Sequence, residues 1–192
     1  MKEKKFKKET IYKIVIIGLL TALSAALGFI KIPLLGVSIT LVLPVIVIGG
    51  ALYGPWVGAW LTVIPNIVAI PDAGLFLTEA PAGCIATMIL KGLLAGFLAS
   101  IIYKAMAKKR PLGAVTCAAV VAPVVNTAVF LSGCFIFIWN DLVAKAGEAG
   151  IGMGLLIVGM VGINFVIELI LNLILCPSIL RIIQLTSKGK KI

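Results

Sequence analysis

Residues 81–103 read PAGCIATMILKGLLAGFLASIIY, and this stretch decides the class of fold. Lys91 is its only charged residue, and about 20 apolar residues are what a helix needs to cross a membrane. Similar runs lie on both sides, so that 61% of the 192 residues are hydrophobic and only 12% are charged. A soluble domain carries about 25% charged residues and has no way to hide so much apolar surface. The composition therefore predicts an integral membrane protein, with residues 1–192 forming a single membrane domain.

Six apolar runs predict an all-α protein with six membrane-spanning helices. The predicted spans, numbered 1 to 6, cover residues 11–30, 39–53, 55–70, 81–103, 112–139 and 153–180. Spans 2 and 3 are short, are joined at the turn Tyr53-Gly54-Pro55, and are interrupted by Pro44 and Pro65. Their length leaves open whether each of them crosses the whole bilayer.

The basic residues indicate how the chain is oriented in the membrane. With the N-terminus inside, 14 of the 17 Lys and Arg residues fall in cytoplasmic segments, namely 1–13, 53–56, 104–110 and 181–192. The outer segments hold only Lys31 and Lys145 among the basic residues, and they also hold four acids, Asp72, Glu79, Asp141 and Glu148. Cytoplasmic loops are enriched in Lys and Arg, so the protein is predicted to lie in the cell membrane with both termini on the cytoplasmic side. The net charge of +10 then reflects topology and contact with anionic lipid, not a nucleic-acid partner.

Three outer segments, residues 31–38, 71–81 and 140–150, have compositions unlike plain linkers. Segment 71–81 reads PDAGLFLTEAP and places Phe76 between two leucines inside a loop. Loops that carry large apolar side chains usually fold back onto the protein. The segments are therefore predicted either to form a lid or to dip into the membrane interface.

Two charged residues, Lys91 and Glu168, lie inside predicted spans. Each costs about 2.5–3.5 kcal/mol near the bilayer centre, so neither is expected to face lipid. Lys91 precedes Lys104 by thirteen residues and Glu168 precedes Arg181 by thirteen, which places both at one depth. An ion pair between spans 4 and 6 is the simplest arrangement. Either the pair only fixes helix packing, or it forms the floor of a cavity in which Lys91 receives a substrate carboxylate.

Polar residues elsewhere predict a lining that opens toward the outer side. Thr87 and Lys91 are four residues apart, as are Asn164 and Glu168, so each pair shares a helix face. The candidate substrate-binding residues are Asn66, Glu79, Thr87, Lys91, Asn126, Asn164 and Glu168. The alternative interpretation of each amide is a hydrogen-bonding contact between helices.

The sequence lacks the residues that catalysis would need. It contains no histidine, no GxSxG motif and no Walker loop, so the chain is predicted not to be an enzyme and not to hydrolyse ATP. No metal and no cofactor are predicted. The four cysteines form no CxxC pair and are interpreted as small buried hydrophobic residues.

Span 1 carries two pairs of small residues at a spacing of four, Ala22 with Ala26 and Ser24 with Gly28. Such pairs let another helix approach closely. Glycines also surround the turn between spans 2 and 3, at positions 49, 50, 54 and 58. Residues 1–70 are therefore interpreted as the half that makes helix contacts, and residues 71–192 as the half that holds most of the polar lining.

Three stretches together resemble the substrate-binding S components of energy-coupling factor (ECF) vitamin importers. They are LTALSAALGFIKIP at 20–33, SITLVLPVIVIGGALYGPWVGAWLTVIPNIVAI at 38–70 and PAGCIATMILKGLLAGFLASIIYK at 81–104. The resemblance implies an all-α fold whose first three helices dock on a membrane scaffold subunit through Ala22 and Ala26. It also implies two cytosolic ATPases as partners and a vitamin bound near the outer face by spans 4 to 6 and the outer loops.

The predicted function is therefore the substrate-capture subunit of an ATP-driven ECF importer of a small water-soluble vitamin. The vitamin-contacting residues of the riboflavin, thiamine and biotin members have no match in this chain. Lys91 favours a small carboxylate vitamin, with pantothenate the first candidate and nicotinate the second. The alternatives are a stand-alone secondary carrier of a small solute and a structural membrane protein with sealed helices.

Overall fold

The structure is a computed structural model that describes residues 2–29, 32–34, 37–39 and 42–189. Its helices are α1 (Lys2–Phe29), α2 (Leu43–Tyr53), α3 (Pro55–Val68), α4 (Leu75–Glu79), α5 (Pro81–Met106), α6 (Pro111–Phe137), α7 (Trp139–Glu148), α8 (Met153–Ile157) and α9 (Ile163–Gly189). A short antiparallel hairpin, β1 (Ile32–Leu34) and β2 (Val37–Ile39), follows α1. A 3-10 turn, Ile70–Ala73, precedes α4, and a π-helical turn, Val158–Gly162, joins α8 to α9.

Four helices in the described part of the chain are long and apolar enough to cross a membrane: α1, α5, α6 and α9. The other two predicted spans, α2 with 11 residues and α3 with 14, are shorter. At 1.5 Å per residue they are about 17 and 21 Å long, against about 30 Å of hydrocarbon. Spans 2 and 3 are therefore short, as predicted.

Several predicted boundaries differ from the structure for identifiable reasons. Helix α2 begins at Leu43, not Ile39, because residues 37–39 pair in the hairpin and Pro44 occupies the first helical turn. Pro44 therefore starts α2 and does not interrupt it, whereas Pro65 and Pro123 lie inside helices that continue through them. Three predicted features lie outside the described residues: the end of span 1 at Ile30, Lys31 of the first outer segment, and Lys190 with Lys191 in the final basic segment.

Glycines bring α3 against α5 with almost no space between the two backbones. A methyl group at Gly96 of α5 would overlap the carbonyl oxygen of Gly58 and the hydroxyl of Thr62, both in α3. One turn earlier on α5, a methyl at Gly92 would lie 2.9 Å from the Val63 Cα and 2.9 Å from the Asn66 amide nitrogen. The two helices are therefore antiparallel, and glycine is required at both of these contacts.

The turn between α2 and α3 defines one end of this bundle. Gly54 adopts a φ of 112°, which favours glycine, and a Cβ there would lie 3.1 Å from the Lys104 Nζ. We call this the inner end, since Lys104 belongs to a predicted cytoplasmic segment. The opposite end, which holds the 70–81 and 138–153 segments, is called the outer end.

Helix α3 stops well before the outer end. Its Asn66 lies beside Gly92 of α5, eleven residues from the first residue of α5, or about 17 Å of helix. The 3-10 turn and α4 occupy this remaining length. They form an outer cap together with α7 and α8, and the cap buries Phe76 and Leu142 against Cys84, Met88 and Cys134. Segments 71–81 and 140–150 thus pack on the end of the bundle through Phe76 and Leu142, and whether they form a lid or dip into the interface stays open.

Candidate functional site

Lys91 lies in the middle of α5 and is buried, with 8% of its surface exposed. Its Nζ sits over the ring of Phe130 from α6, 4.8 Å from the ring centroid. An ammonium group is attracted by the negative face of an aromatic ring, and the attraction grows when water is excluded. Phe130 therefore offsets part of the cost of burying this charge.

Glu168 supplies the opposite charge. It lies on α9 and is half-buried, and its carboxylate interacts electrostatically with Lys91. The ion pair predicted between spans 4 and 6 stays a prediction, because the structure places the two charges only within electrostatic reach of each other. Two buried thiols, Cys84 and Cys134, also lie within electrostatic reach of Lys91. A cation, a carboxylate, a ring face and two polarisable sulfurs consequently share one region of the bundle.

One helical turn above Lys91, toward the outer end, α5 carries Thr87. This side chain is buried, and Gly133 of α6 packs directly against it, since any side chain at Gly133 would overlap Thr87. Thr87 and Lys91 therefore face α6 together, as their spacing of four residues predicts.

Above this level, the outer cap closes the region with phenylalanine rings. Phe76 of α4 is 1% exposed, and its ring lies 6.0 Å from Phe130, edge to face, and 6.4 Å from Phe137. Centroid separations of 4.5–7 Å are those of favourable aromatic pairs. Lys91, Phe130 and Phe76 thus form a column from the middle of the bundle to the cap.

The asparagines near this column have different surroundings. The Asn66 amide is buried beside Gly92 and donates to the Thr62 carbonyl at 2.8 Å, so it is engaged within α3. Asn126 lies on α6 one turn toward the inner end from Phe130, and its Oδ1 is buried with no partner among the described residues. Of the two, only Asn126 has a buried amide atom without a hydrogen-bond partner among the described residues.

The remaining candidates and aromatic residues are placed differently. Glu79 ends α4 and is exposed, more than ten residues of chain before Lys91, so the structure does not bring it into the Lys91 column. The side chain of Asn164 lies outside what the structure describes. Trp139 lies at the start of α7 and packs on Phe135, with ring centroids 5.2 Å apart.

The two small-residue pairs of α1 face in different directions. Ser24 is buried and donates to the Leu61 carbonyl of α3 at 2.7 Å, and a methyl at Gly28 would lie 3.1 Å from the Pro65 Cβ. Ala22 and Ala26 are exposed. One pair therefore packs α1 on α3, and the other is left open on the surface of the bundle.

The Lys91 column thus places a buried cation under an aromatic cap, in a bundle with four candidate membrane-spanning helices among the described residues. The family model for the ECF transporter substrate-specific component matches residues 12–180. The chain belongs to this family. The match covers all the predicted spans, with the exception of the first residue of span 1. Comparisons with curated proteins and with solved structures find no match.

Family membership establishes the general role of this S component. It is a multi-pass membrane protein and the substrate-binding subunit of a transporter, and its family is not a family of enzymes. S components bind a small substrate and associate with scaffold and ATPase subunits. The resemblance stated from the sequence is thereby confirmed.

Sequence reasoning missed Phe130, whose ring faces the Lys91 charge. A phenylalanine in an apolar helix carries no signal of its own. Its position four residues after Asn126 on α6 is the only hint, because that spacing puts both on one helix face. Phe76 had a clearer signal, as a large apolar residue within a polar outer segment.

Proposed function

We propose that this S component captures a small anionic vitamin at the Lys91 column and delivers it to an ATP-driven ECF importer. The observation that carries the proposal is the buried Lys91 ammonium, which faces the Phe130 ring beneath the aromatic cap and has the Glu168 charge within electrostatic reach. The substrate-binding role comes from the family, and the identity of the solute is inferred from this site.

The site favours an anion because of how the Lys91 charge is compensated. An ammonium has three N–H donors, and a ring face attracts its charge without accepting in the way an oxygen does. A solute carboxylate at Lys91 would add a charge-assisted hydrogen bond, which contributes about 1.5–3 kcal/mol. A buried cation that gains this much on binding gives selectivity for carboxylates over neutral solutes.

Pantothenate is the first candidate and nicotinate the second. Pantothenate combines a carboxylate with hydroxyls and an amide, which suit Thr87, Asn126 and, further toward the outer end, Asn164. Asn66 and Glu168 complete the proposed lining, and Glu79 is assigned to the exposed rim of the entrance. Nicotinate satisfies Lys91 but uses fewer of these polar groups. Neither candidate requires the large aromatic walls that a flavin would need.

The exposed pair Ala22 and Ala26 is the proposed docking surface for the membrane scaffold subunit. Small residues permit close helix approach, and in this chain the neighbouring pair, Ser24 and Gly28, is already used by α3. Two cytosolic ATPases would drive the scaffold. In this arrangement both termini are cytoplasmic and α2 and α3 complete a six-helix membrane domain, of which residues 1–70 dock and residues 71–192 bind the solute.

Family membership favours this function over a stand-alone secondary carrier, which is the second candidate. A direct uptake assay separates the two, because the carrier would work without partner subunits. Uptake that persists without scaffold and ATPases and follows an ion gradient would support the carrier.

The test of the proposal is mass spectrometry of the solute that remains bound to purified wild type. A carboxylate vitamin is expected in wild type and in Lys145→Met, which removes an exposed lysine from α7. Lys91→Met is expected to lose the solute. A neutral vitamin in wild type, or an unchanged load in Lys91→Met, would overturn the assignment.

A further inference from the structure

Helix α3 carries a proline, Pro65, and continues through it to Val68. In an uninterrupted helix the N–H of residue 65 would donate to the carbonyl of residue 61, four positions earlier. Proline has no N–H, so the Leu61 carbonyl receives no hydrogen bond from position 65. Leu61 is fully buried, which makes a missing donor at its carbonyl costly unless another group supplies one.

The hydroxyl of Ser24 supplies this donor. Ser24 belongs to α1, is fully buried, and donates to the Leu61 carbonyl at 2.7 Å. A serine inside a helix often donates to a carbonyl one turn earlier in its own helix, as Ser100 and Ser132 do here. Ser24 instead bonds to a second helix, at the carbonyl that Pro65 leaves without its helical donor.

Two further contacts with α3 lie on the same face of α1. A methyl group at Gly28 would lie 3.1 Å from the Pro65 Cβ, so the proline packs against bare backbone. On the other side of Ser24, the Oγ1 of Thr21 accepts a hydrogen bond of 3.1 Å from the Trp60 Nε1. Positions 21, 24 and 28 have the i, i+3, i+7 spacing of one helix face. Pro65 therefore contributes twice to the contact, through the carbonyl that it frees and through its own packing.

Helical geometry relates this contact face to the exposed face of α1. Successive residues are about 100° apart around a helix, so the positions two before and two after Ser24 lie about 160° from it, one on each side. These positions are Ala22 and Ala26, and both are exposed. A contact that holds Ser24 against α3 consequently turns the two alanines directly away from the bundle.

We propose that Ser24 and Pro65 form a clip that sets the rotation of α1 about its own axis and thereby presents Ala22 and Ala26 to the membrane scaffold subunit. Neither residue of the clip lies on the exposed face. Both are therefore positioning residues, which act through the orientation of the two alanines. The docking part of this inference rests on the proposed function, whereas the clip itself does not.

A double-mutant cycle on the thermal midpoint of the purified protein tests the clip without any scaffold. Ser24→Ala leaves the buried Leu61 carbonyl unsatisfied and should lower the midpoint by about 2–6 °C. Pro65→Ala keeps the Cβ beside Gly28 but returns an N–H to position 65. In that background the carbonyl has its helical donor, so Ser24→Ala should lower the midpoint clearly less.

Equal shifts of Ser24→Ala in the two backgrounds would overturn the clip, because additive effects mean that Ser24 and Pro65 do not share the Leu61 carbonyl. Ser100→Ala is the matched control. Its hydroxyl is also buried, but it donates to the Gly96 carbonyl of its own helix at 2.6 Å. The shift caused by Ser100→Ala should be the same with proline or alanine at position 65.

Co-purification with a co-expressed scaffold subunit tests the positioning role. Ser24→Ala should reduce the recovered scaffold about threefold, the effect of one average hydrogen bond between membrane helices, because docking then has to order α1. The double variant Ser24→Ala/Pro65→Ala should regain stability but not scaffold, since it satisfies the carbonyl within α3 and leaves α1 without its tie.

Unchanged scaffold recovery in Ser24→Ala, or full recovery in the double variant, would reject the positioning role. Ala22→Leu shows where such a failure lies. If Ala22→Leu weakens recovery and Ser24→Ala does not, the clip does not position α1. If neither variant weakens recovery, the proposed docking surface is wrong, and the midpoint cycle still decides whether the clip exists.

Discussion

Gly96→Ala tests the close packing of α3 on α5, on which the position of the Lys91 column depends. The added methyl would overlap the Gly58 carbonyl oxygen and the Thr62 hydroxyl. Because one of the opposing atoms belongs to the backbone, α3 has to move away from α5. Overpacking of this kind costs about 1–3 kcal/mol, and we take about 3 kcal/mol for Gly96→Ala because the obstacle is a backbone atom. The higher helix propensity of alanine offsets about 1 kcal/mol of this cost, so the net loss of stability is about 2 kcal/mol.

This loss is measurable as a lower thermal midpoint in detergent or nanodiscs. For a chain of this size 1 kcal/mol corresponds to about 2–4 °C, so the expected decrease is about 4–8 °C. Gly18→Ala is the matched control, since Gly18 also lies in a long apolar helix but a Cβ there meets nothing within 4 Å. Its midpoint should stay constant or rise. An equal response of the two variants would refute the packing argument.

Three further predictions follow from the cap, from α1 and from the charge distribution. Phe76→Ala should destabilise the protein by about 3–5 kcal/mol, measured by chemical unfolding, because the ring is fully buried; Trp139→Ala, at an exposed ring, should cost clearly less. Ala22→Leu or Ala26→Leu should weaken co-purification with the scaffold while solute binding is retained; lost binding with an intact complex would contradict the division between docking and binding. A C-terminal tag should be accessible only from the cytoplasmic side, and labelling from outside intact cells would reject the predicted orientation.

The sequence was sufficient to predict the class of fold because long apolar runs and clustered basic residues are direct consequences of the bilayer. It also predicted that Lys91 and Glu168 do not face lipid, since a charged residue inside a membrane span is costly wherever it lies. The hairpin, the outer start of α2 and the division of the last span into α8, a π-helical turn and α9 were missed. Each depends on contacts with other elements, and hydropathy along one segment does not contain that information.

The candidate site was predicted less completely than the fold, for the same reason. Thr87 could be placed beside Lys91 because both lie on one helix with a fixed spacing. Phe130 could not, because its contact with Lys91 depends on the register between α5 and α6. Glycine contacts fix that register, as at Gly133 against Thr87, and a glycine in the sequence does not reveal which helix approaches it.

Calorimetric titration of the purified protein with pantothenate, nicotinate and riboflavin tests the central claim most directly. A carboxylate vitamin should bind to wild type and to Lys145→Met with similar affinity. Loss of one charge-assisted hydrogen bond in Lys91→Met should weaken that binding about 10- to 150-fold. Tight binding of riboflavin with no response to either carboxylate, or unchanged carboxylate affinity in Lys91→Met, would contradict the assignment of Lys91 as the anion-binding group.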